Sequence, residues 1–272
     1  MEMNRNKIAE LILQKLEANK ESLKQQYDTS SDKIGAFFLD DVLPNDVAQL
    51  IYSKFPAPEQ MTHKKTLRES KYIAAQMDKY DPLLEEALFA FQDPRVVKVV
   101  GEICSIKKLV PDEHLYAGGI SLMTQEGYLN PHIDNSHDKD RDRWRVLNIL
   151  YYVNPDWEHD FGGNLEIWPG GMKQPQTTFV SKFNRLVVMA THNKSWHSVS
   201  PIKVSRNRCC VSNYYFSNEP LKQTDSFHVT TFRGRPEQPV ADVILQGDGM
   251  LRTMIRKLFP KGIGKLSHFY KR

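Results

Sequence analysis

Leu147-Asn148-Ile149-Leu150-Tyr151-Tyr152-Val153 is the stretch on which the fold turns. It is β-branched, aromatic and apolar at both parities, as a strand covered on both faces must be. Working outward, short apolar runs alternate with turn residues from Pro111 onward: Gly118-Gly119, Glu126-Gly127, Asn154-Pro155, Gly162-Gly163 and Pro169-Gly170-Gly171. Asn164 to Trp168, Arg185 to Met189 and Cys209 to Phe216 read as further strands. Many short strands at near-regular spacing point to a sandwich or barrel. The first hundred residues differ. Ile8, Leu11, Ile12 and Leu16 recur at helical spacing, and Pro44, Pro82 (with Asp81 as N-cap) and Pro94 each open a helix. Phe37-Phe38-Leu39 interrupts them as a short strand. With no linker between the helical and β parts, one domain is expected over 1–272. Residues 1–110 would be mostly helical support, 111–218 the β core, and 219–272 a C-terminal extension with a basic helix.

Composition narrows the function classes. Hydrophobic residues make up 40% and charged residues 26%, ordinary for a soluble globular chain. No apolar run approaches the roughly 18 residues of a membrane span. The charged start, with Glu10, Lys15, Glu17 and Lys20, lacks a signal peptide's apolar core, so a cytoplasmic location is expected. Cys209 and Cys210 are neighbours and Cys104 is distant, which suggests reduced structural thiols and no disulfide framework. The net charge of +4 is uneven: residues 250–272 hold seven bases and no acid, and removing those seven from 37 leaves 30 bases against 33 acids. Basicity thus belongs to a tail, and no nucleic-acid partner is expected. Met250, Leu251, Met254, Ile255 and Leu258 follow helical spacing within that tail, and packing against the domain is expected over docking to an acidic partner or a membrane surface.

The chemistry is concentrated in His132-Ile133-Asp134, with His197 and Arg208 further on. A lone His-x-Asp is weak, since about 0.5 matches are expected by chance in such a chain. Its context is better. Residues i and i+2 of a strand share a face, so both side chains would project together. Two imidazoles and a carboxylate can take three facial positions on Fe(II) and leave three open for a co-substrate and O2. His192 is the rival third ligand and Arg206 the rival anchor for a co-substrate carboxylate. Arg208, Cys210, Ser212 and Tyr214 would share one strand face, and Asn148, Leu150 and Tyr152 another.

Four motifs occur in order: Arg145 to Trp157, ending Tyr152-Val153-Asn154-Pro155-Asp156-Trp157; Gly162-Gly163-Asn164-Leu165; His197-Ser198-Val199-Ser200-Pro201; and Arg208 to Phe216. Together with His132-x-Asp134 they closely resemble the Fe(II)/2-oxoglutarate-dependent dioxygenases of the prolyl hydroxylase type, over residues 112 to 218. Val153 replaces the family's usual leucine. The resemblance implies a mainly β, double-stranded β-helix (jelly-roll) core supported by N-terminal helices. It implies Fe(II) held by His132, Asp134 and His197 rather than His192. It also implies 2-oxoglutarate held by Arg208 rather than Arg206, with Tyr152, Ser212 and the apolar wall of Leu150. The implied reaction consumes O2 and hydroxylates an unactivated carbon of an amino-acid-like, peptidyl or natural-product substrate, with release of succinate and CO2. Asp134 separates this chain from related halogenases, which lack the carboxylate. Tyr128, Arg141, Arg143 and Trp168 are the candidate substrate contacts. Lys64 to Tyr80, Asn135 to Arg143 and Thr224 to Pro239 are the segments expected to shape the substrate site, with Arg68 among their charges. A jelly-roll protein that binds without turnover, or a desaturase or cyclase of the same superfamily, are the alternatives.

Overall fold

A computed structural model describes residues 3–258 and Tyr270. Helices α1 (Arg5–Ala18) and α2 (Lys20–Ser30) are followed by β1 (Ala36–Leu39) and α3 (Asn45–Ser53). A hairpin of β2 (Thr62–Lys65) and β3 (Glu69–Ala74) precedes α4 (Pro82–Ala90), α5 (Pro94–Ile103) and β4 (Val110–Pro111). The core strands are β5 (Gly119–Met123), β6 (Tyr128–Ile133), β7 (Trp144–Tyr152), β8 (Leu165–Ile167) and β9 (Thr177–Phe179), then β10 (Arg185–Ala190), β11 (His197–Val199) and β12 (Arg208–Ser217). The short β13 (Thr231–Phe232) leads to α6 (Pro239–Leu258).

The strands pair antiparallel in the order β1-β10-β7-β12-β5-β3-β6-β11-β8-β9, forming a jelly-roll core. β7 lies between β10 and β12, with Leu150 opposite both Val187 and Ser212. Its two apolar faces serve two different interiors. Leu147, Ile149 and Tyr151 join the cluster shared with the helices, while Leu150 and Tyr152 pack inside the barrel. The helical cluster runs from Ile8 in α1 to Tyr215 in β12, so the helices share one core with the sheet. Helix starts follow local chemistry. Asp81 accepts the Leu83 N–H at 3.0 Å and Asp93 the Arg95 N–H at 2.9 Å, each with proline at the first helical position.

Two features depart from the sequence reading. The stretch before residue 110 contains the β2–β3 hairpin, whose second strand pairs with both β5 and β6 and joins the two halves of the barrel. Thr62-His63-Lys64-Lys65 has no apolar alternation, because all four side chains are exposed. The apolar side chains of α6 expected to pack on the domain do not. Met250, Leu251, Met254, Ile255 and Leu258 are exposed, and Leu245 is the buried apolar anchor of the helix. Polar ties hold α6 instead: Arg68–Asp248 at 2.5 Å, Arg233–Asp242 at 2.6 Å and Arg252 to Thr230 O at 3.2 Å. Most of the tail's basic residues lie outside the described residues, and so does the expected break at Phe259-Pro260. All three cysteines are buried and free.

Candidate active site

His132 and His197 sit opposite each other on neighbouring strands β6 and β11, with ring centroids 4.1 Å apart. Each ring is held by a backbone carbonyl: His132 Nδ1 lies 3.0 Å from Asn130 O, and His197 Nδ1 lies 2.9 Å from Ser195 O. A carbonyl can only accept, so Nδ1 carries the proton in both rings and each Nε2 presents a lone pair. Asp134 follows β6 and completes the cluster, its oxygens 3.5 Å from His132 Nε2 and 3.6 Å from His197 Nε2. Ligands roughly 2.1 Å from a metal and at right angles lie about 3 Å apart, so each Asp134–histidine separation would shorten by about half an ångström on a metal.

The electrostatics match that use. Burial works against Asp134's charge. The adjoining His132 side chain, the Arg145 charge and the His197 ring outweigh it and hold the carboxyl well below its usual range. Burial and the neighbouring His132 lower His197 to about 4, so it stays neutral and able to ligate. Asp134 Oδ2 is buried and makes no hydrogen bond, a polar atom left for a ligand. The donor set of two neutral nitrogens and one carboxylate suits Fe(II).

The triad borders an inner cavity of about 110 Å³ and an outer cleft of about 480 Å³; His132, Asp134 and Tyr214 line both. Arg208, Ser212, Leu150 and Asn148 line the inner cavity. Arg208 Nε donates to Gly163 O at 2.6 Å and to Ser181 Oγ at 3.0 Å, and its guanidinium carbon lies 4.8 Å from the Tyr152 ring centre. Burial pushes the Tyr152 phenol far up against the opposing pull of Arg208, and its hydroxyl finds no well-formed hydrogen-bond partner. Ser212 Oγ donates to Gly119 O at 3.1 Å.

The quoted motifs build this cavity. Asn154 accepts the Cys209 N–H at 2.5 Å and donates to Ser181 O at 2.8 Å, which ties the end of β7 to the start of β12 beside Arg208. Trp157 Nε1 donates to Gly162 O at 2.9 Å. Gly162 has φ 72°, and a Cβ there would collide with Pro201 O.

Sequence alternatives sort clearly in space. His192 donates from Nε2 to Lys33 O (2.9 Å) and accepts the Lys194 N–H at Nδ1 (3.1 Å), so both nitrogens are spent outside the triad. Arg206 reaches Pro155 O at 2.7 Å on the exterior. Tyr128, Arg141, Arg143 and Trp168 are absent from the walls of both cavities. Tyr128 donates to Thr66 O, Arg141 lies over Phe227, and Arg143 is exposed. Trp168 donates to Ser198 Oγ, which itself donates to Glu166, the buried partner of Arg235.

Two further residues join the site, Arg145 and Phe232. Arg145 is buried, stacks on Tyr214 at 4.2 Å and approaches Asp134 Oδ2 at 3.6 Å. Strand parity sets it opposite Asn148 and Leu150. A register shift brings it back, because Tyr215 pairs with Leu147 but Phe216 with Arg145. The extra residue, Val146, bulges and re-aims the arginine inward. Phe232 comes from the extension: β13 pairs with β6 and stacks its ring on His132 at 5.1 Å. A charge opening an otherwise buried strand was the available signal for Arg145; a two-residue strand leaves none for Phe232.

Residues 118–216 match the family model described as the 2OG-Fe(II) oxygenase superfamily. No curated protein matches the chain in sequence. Among solved structures, the chain is similar to a Pseudomonas putida prolyl-4-hydroxylase (15% identity, 71% of this chain and 97% of that one, TM-score 0.54). It is also similar to a prolyl 4-hydroxylase from Phytophthora capsici (17%, 95% and 79%, TM-score 0.57). A Trichoplax adhaerens prolyl hydroxylase in complex with a hypoxia inducible factor peptide fragment matches at 16%, over 73% and 91%, with TM-score 0.50. At these identities the likeness is one of fold.

Proposed function

We propose that this chain, whose residues 118–216 belong to the 2OG-Fe(II) oxygenase superfamily, hydroxylates an unactivated carbon of a small-molecule or peptidyl substrate. The observation that carries the reading is the convergence of two Nε2 lone pairs and an unpartnered carboxylate oxygen on a cavity that the buried Arg208 also lines. His132, Asp134 and His197 would hold Fe(II). Arg208 would receive the distal carboxylate of 2-oxoglutarate through charge-assisted hydrogen bonds, with the unpartnered Tyr152 hydroxyl as a further donor. Ser212 would donate its hydroxyl to the same carboxylate on releasing Gly119 O, and Leu150 would form the apolar wall. When bound, the metal, 2-oxoglutarate and O2 supply the oxidising chemistry, with succinate and CO2 as products.

The chain's own contribution is placement. The carbonyl anchors on both Nδ1 atoms fix tautomer and ring angle before a metal arrives. Arg145 keeps Asp134 ionised. Gly163 O and Ser181 hold Arg208 by its Nε, which leaves the outer fork for the co-substrate. The substrate carbon would approach from the outer cleft, where His132 and Asp134 are exposed to it. Titration of the Fe(II)-loaded protein with 2-oxoglutarate should show one site, and oxygenation should yield succinate. Failure of 2-oxoglutarate to bind would overturn the assignment.

A further inference from the structure

The outer cleft is strongly cationic. Lys64, Arg68, Lys71, Arg145 and Arg252 line it, against the carboxylates of Glu69 and Asp134. Two of these cations are compensated: Arg68 pairs with Asp248 at 2.5 Å and Lys71 with Glu69 at 2.9 Å. Lys64 has no ion pair among the described residues and reaches the cleft from the exposed strand β2. Arg145 is the sharper case. Its side chain is only 3% exposed, its Nε is buried without a hydrogen bond, and its closest carboxylate oxygen stands 3.6 Å away. That oxygen belongs to Asp134, whose charge a metal would draw on. A buried guanidinium so weakly paired is costly unless a second anion reaches it.

We infer that the substrate is a small molecule bearing an anionic group, carboxylate or phosphate, seated in the outer cleft by Arg145 and Lys64, with Lys71 shared between the anion and Glu69. This rests on the proposed placement of the reaction at the triad, which borders the same cleft. The volume of about 480 Å³ falls within the range of small-molecule pockets. Its walls come from the β2–β3 hairpin, the segment after β6, and the β13–α6 extension, and the Arg68–Asp248 pair joins the first of these to the last. Phe232 and Val229 add apolar surface for the uncharged part of the ligand.

The test reads binding rather than turnover. The protein carries Ni(II) in place of iron and saturating 2-oxoglutarate, so that Arg208 is occupied. Benzoate, phenyl phosphate and neutral benzamide are then titrated calorimetrically. At least one anion is expected to bind about tenfold or more tighter than benzamide, and the tighter of the two identifies carboxylate or phosphate. Lys64→Gln/Lys71→Gln should remove most of that preference, while the exposed Lys173→Gln outside the cleft should not. If the double variant is unstable, Lys64→Gln alone, on an exposed edge strand, gives the same comparison. Anions binding no tighter than benzamide, or a preference untouched by the lysine changes, would overturn the inference. Failure of succinate formation would instead count against the proposed reaction, which this titration does not use.

Discussion

Replacing Arg208 by lysine separates charge from geometry at the floor of the inner cavity. Arg208 is 3% exposed, and its Nε is bound to Gly163 O at 2.6 Å and Ser181 Oγ at 3.0 Å. Those two contacts aim the remaining fork. Lysine keeps the positive charge but presents a single ammonium and loses the Nε tether. The loss to a bound dicarboxylate is one charge-assisted hydrogen bond, about 1.5–3 kcal/mol, or roughly 10- to 150-fold in affinity. Fe(II) binding should change little, because the hydrogen bonds of Arg208 go to Gly163 O and Ser181 Oγ and not to the triad. The assay is calorimetric titration of 2-oxoglutarate into the metal-loaded protein, with metal affinity and thermal midpoint as controls. A change below about threefold, with metal binding intact, would refute the view that Arg208 receives the co-substrate.

Other consequences are equally concrete. Asn184→Ala removes two bonds to Leu43, one to the Tyr151 hydroxyl and one to Asn45 Oδ1 at a fully buried site with φ 57°. It should cost about 3–4 kcal/mol in urea unfolding, and a loss under 1 kcal/mol would show that this hub is dispensable. Gly162→Ala sets a Cβ against Pro201 O at positive φ, so a destabilisation of about 1–3 kcal/mol and weaker 2-oxoglutarate binding are expected, and unchanged binding would count against the Gly-Gly turn as a positioning element. His197 is buried neutral, lowered from 6.5 to about 4. The unfolded chain takes up a proton there that the metal-free fold does not, so stability is lost as pH falls from 6.5 towards 4. His197→Gln should flatten that part of the urea-midpoint profile, and an unaltered slope would contradict the assignment. His192→Gln should leave metal binding within about twofold of the original, because both its ring nitrogens are engaged with backbone groups away from the triad.

What was legible in the sequence follows from how strongly each element's environment patterns it. β7 and β12 alternate between two apolar interiors, and their parities put Leu150, Tyr152, Arg208, Cys210 and Ser212 on the inner side where the structure has them. Helices α4 and α5 announced their starts through Asp-Pro pairs. The β2–β3 hairpin did not, because β2 is exposed along its length and β3 buries apolar side chains only at its Ile73-Ala74 end, which leaves no hydrophobic rhythm. Arg145 was hidden by a one-residue bulge that breaks the parity rule. Phe232 reaches His132 from a segment long after the core strands, a contact set by tertiary packing alone. Amphipathic spacing in α6 suggested a packed face, yet ion pairs to Arg68 and Arg233 hold the helix and leave that face in solvent.

His132, Asp134 and His197 are proposed to hold an iron that acts with 2-oxoglutarate. The most direct measurement is succinate formed from labelled 2-oxoglutarate under O2, with and without Fe(II), in the native chain and in Asp134→Ala. Iron-dependent succinate in the native chain, reduced at least about 100-fold by the substitution, is the predicted result. Equal succinate from both proteins, or formation that does not depend on iron, would contradict it.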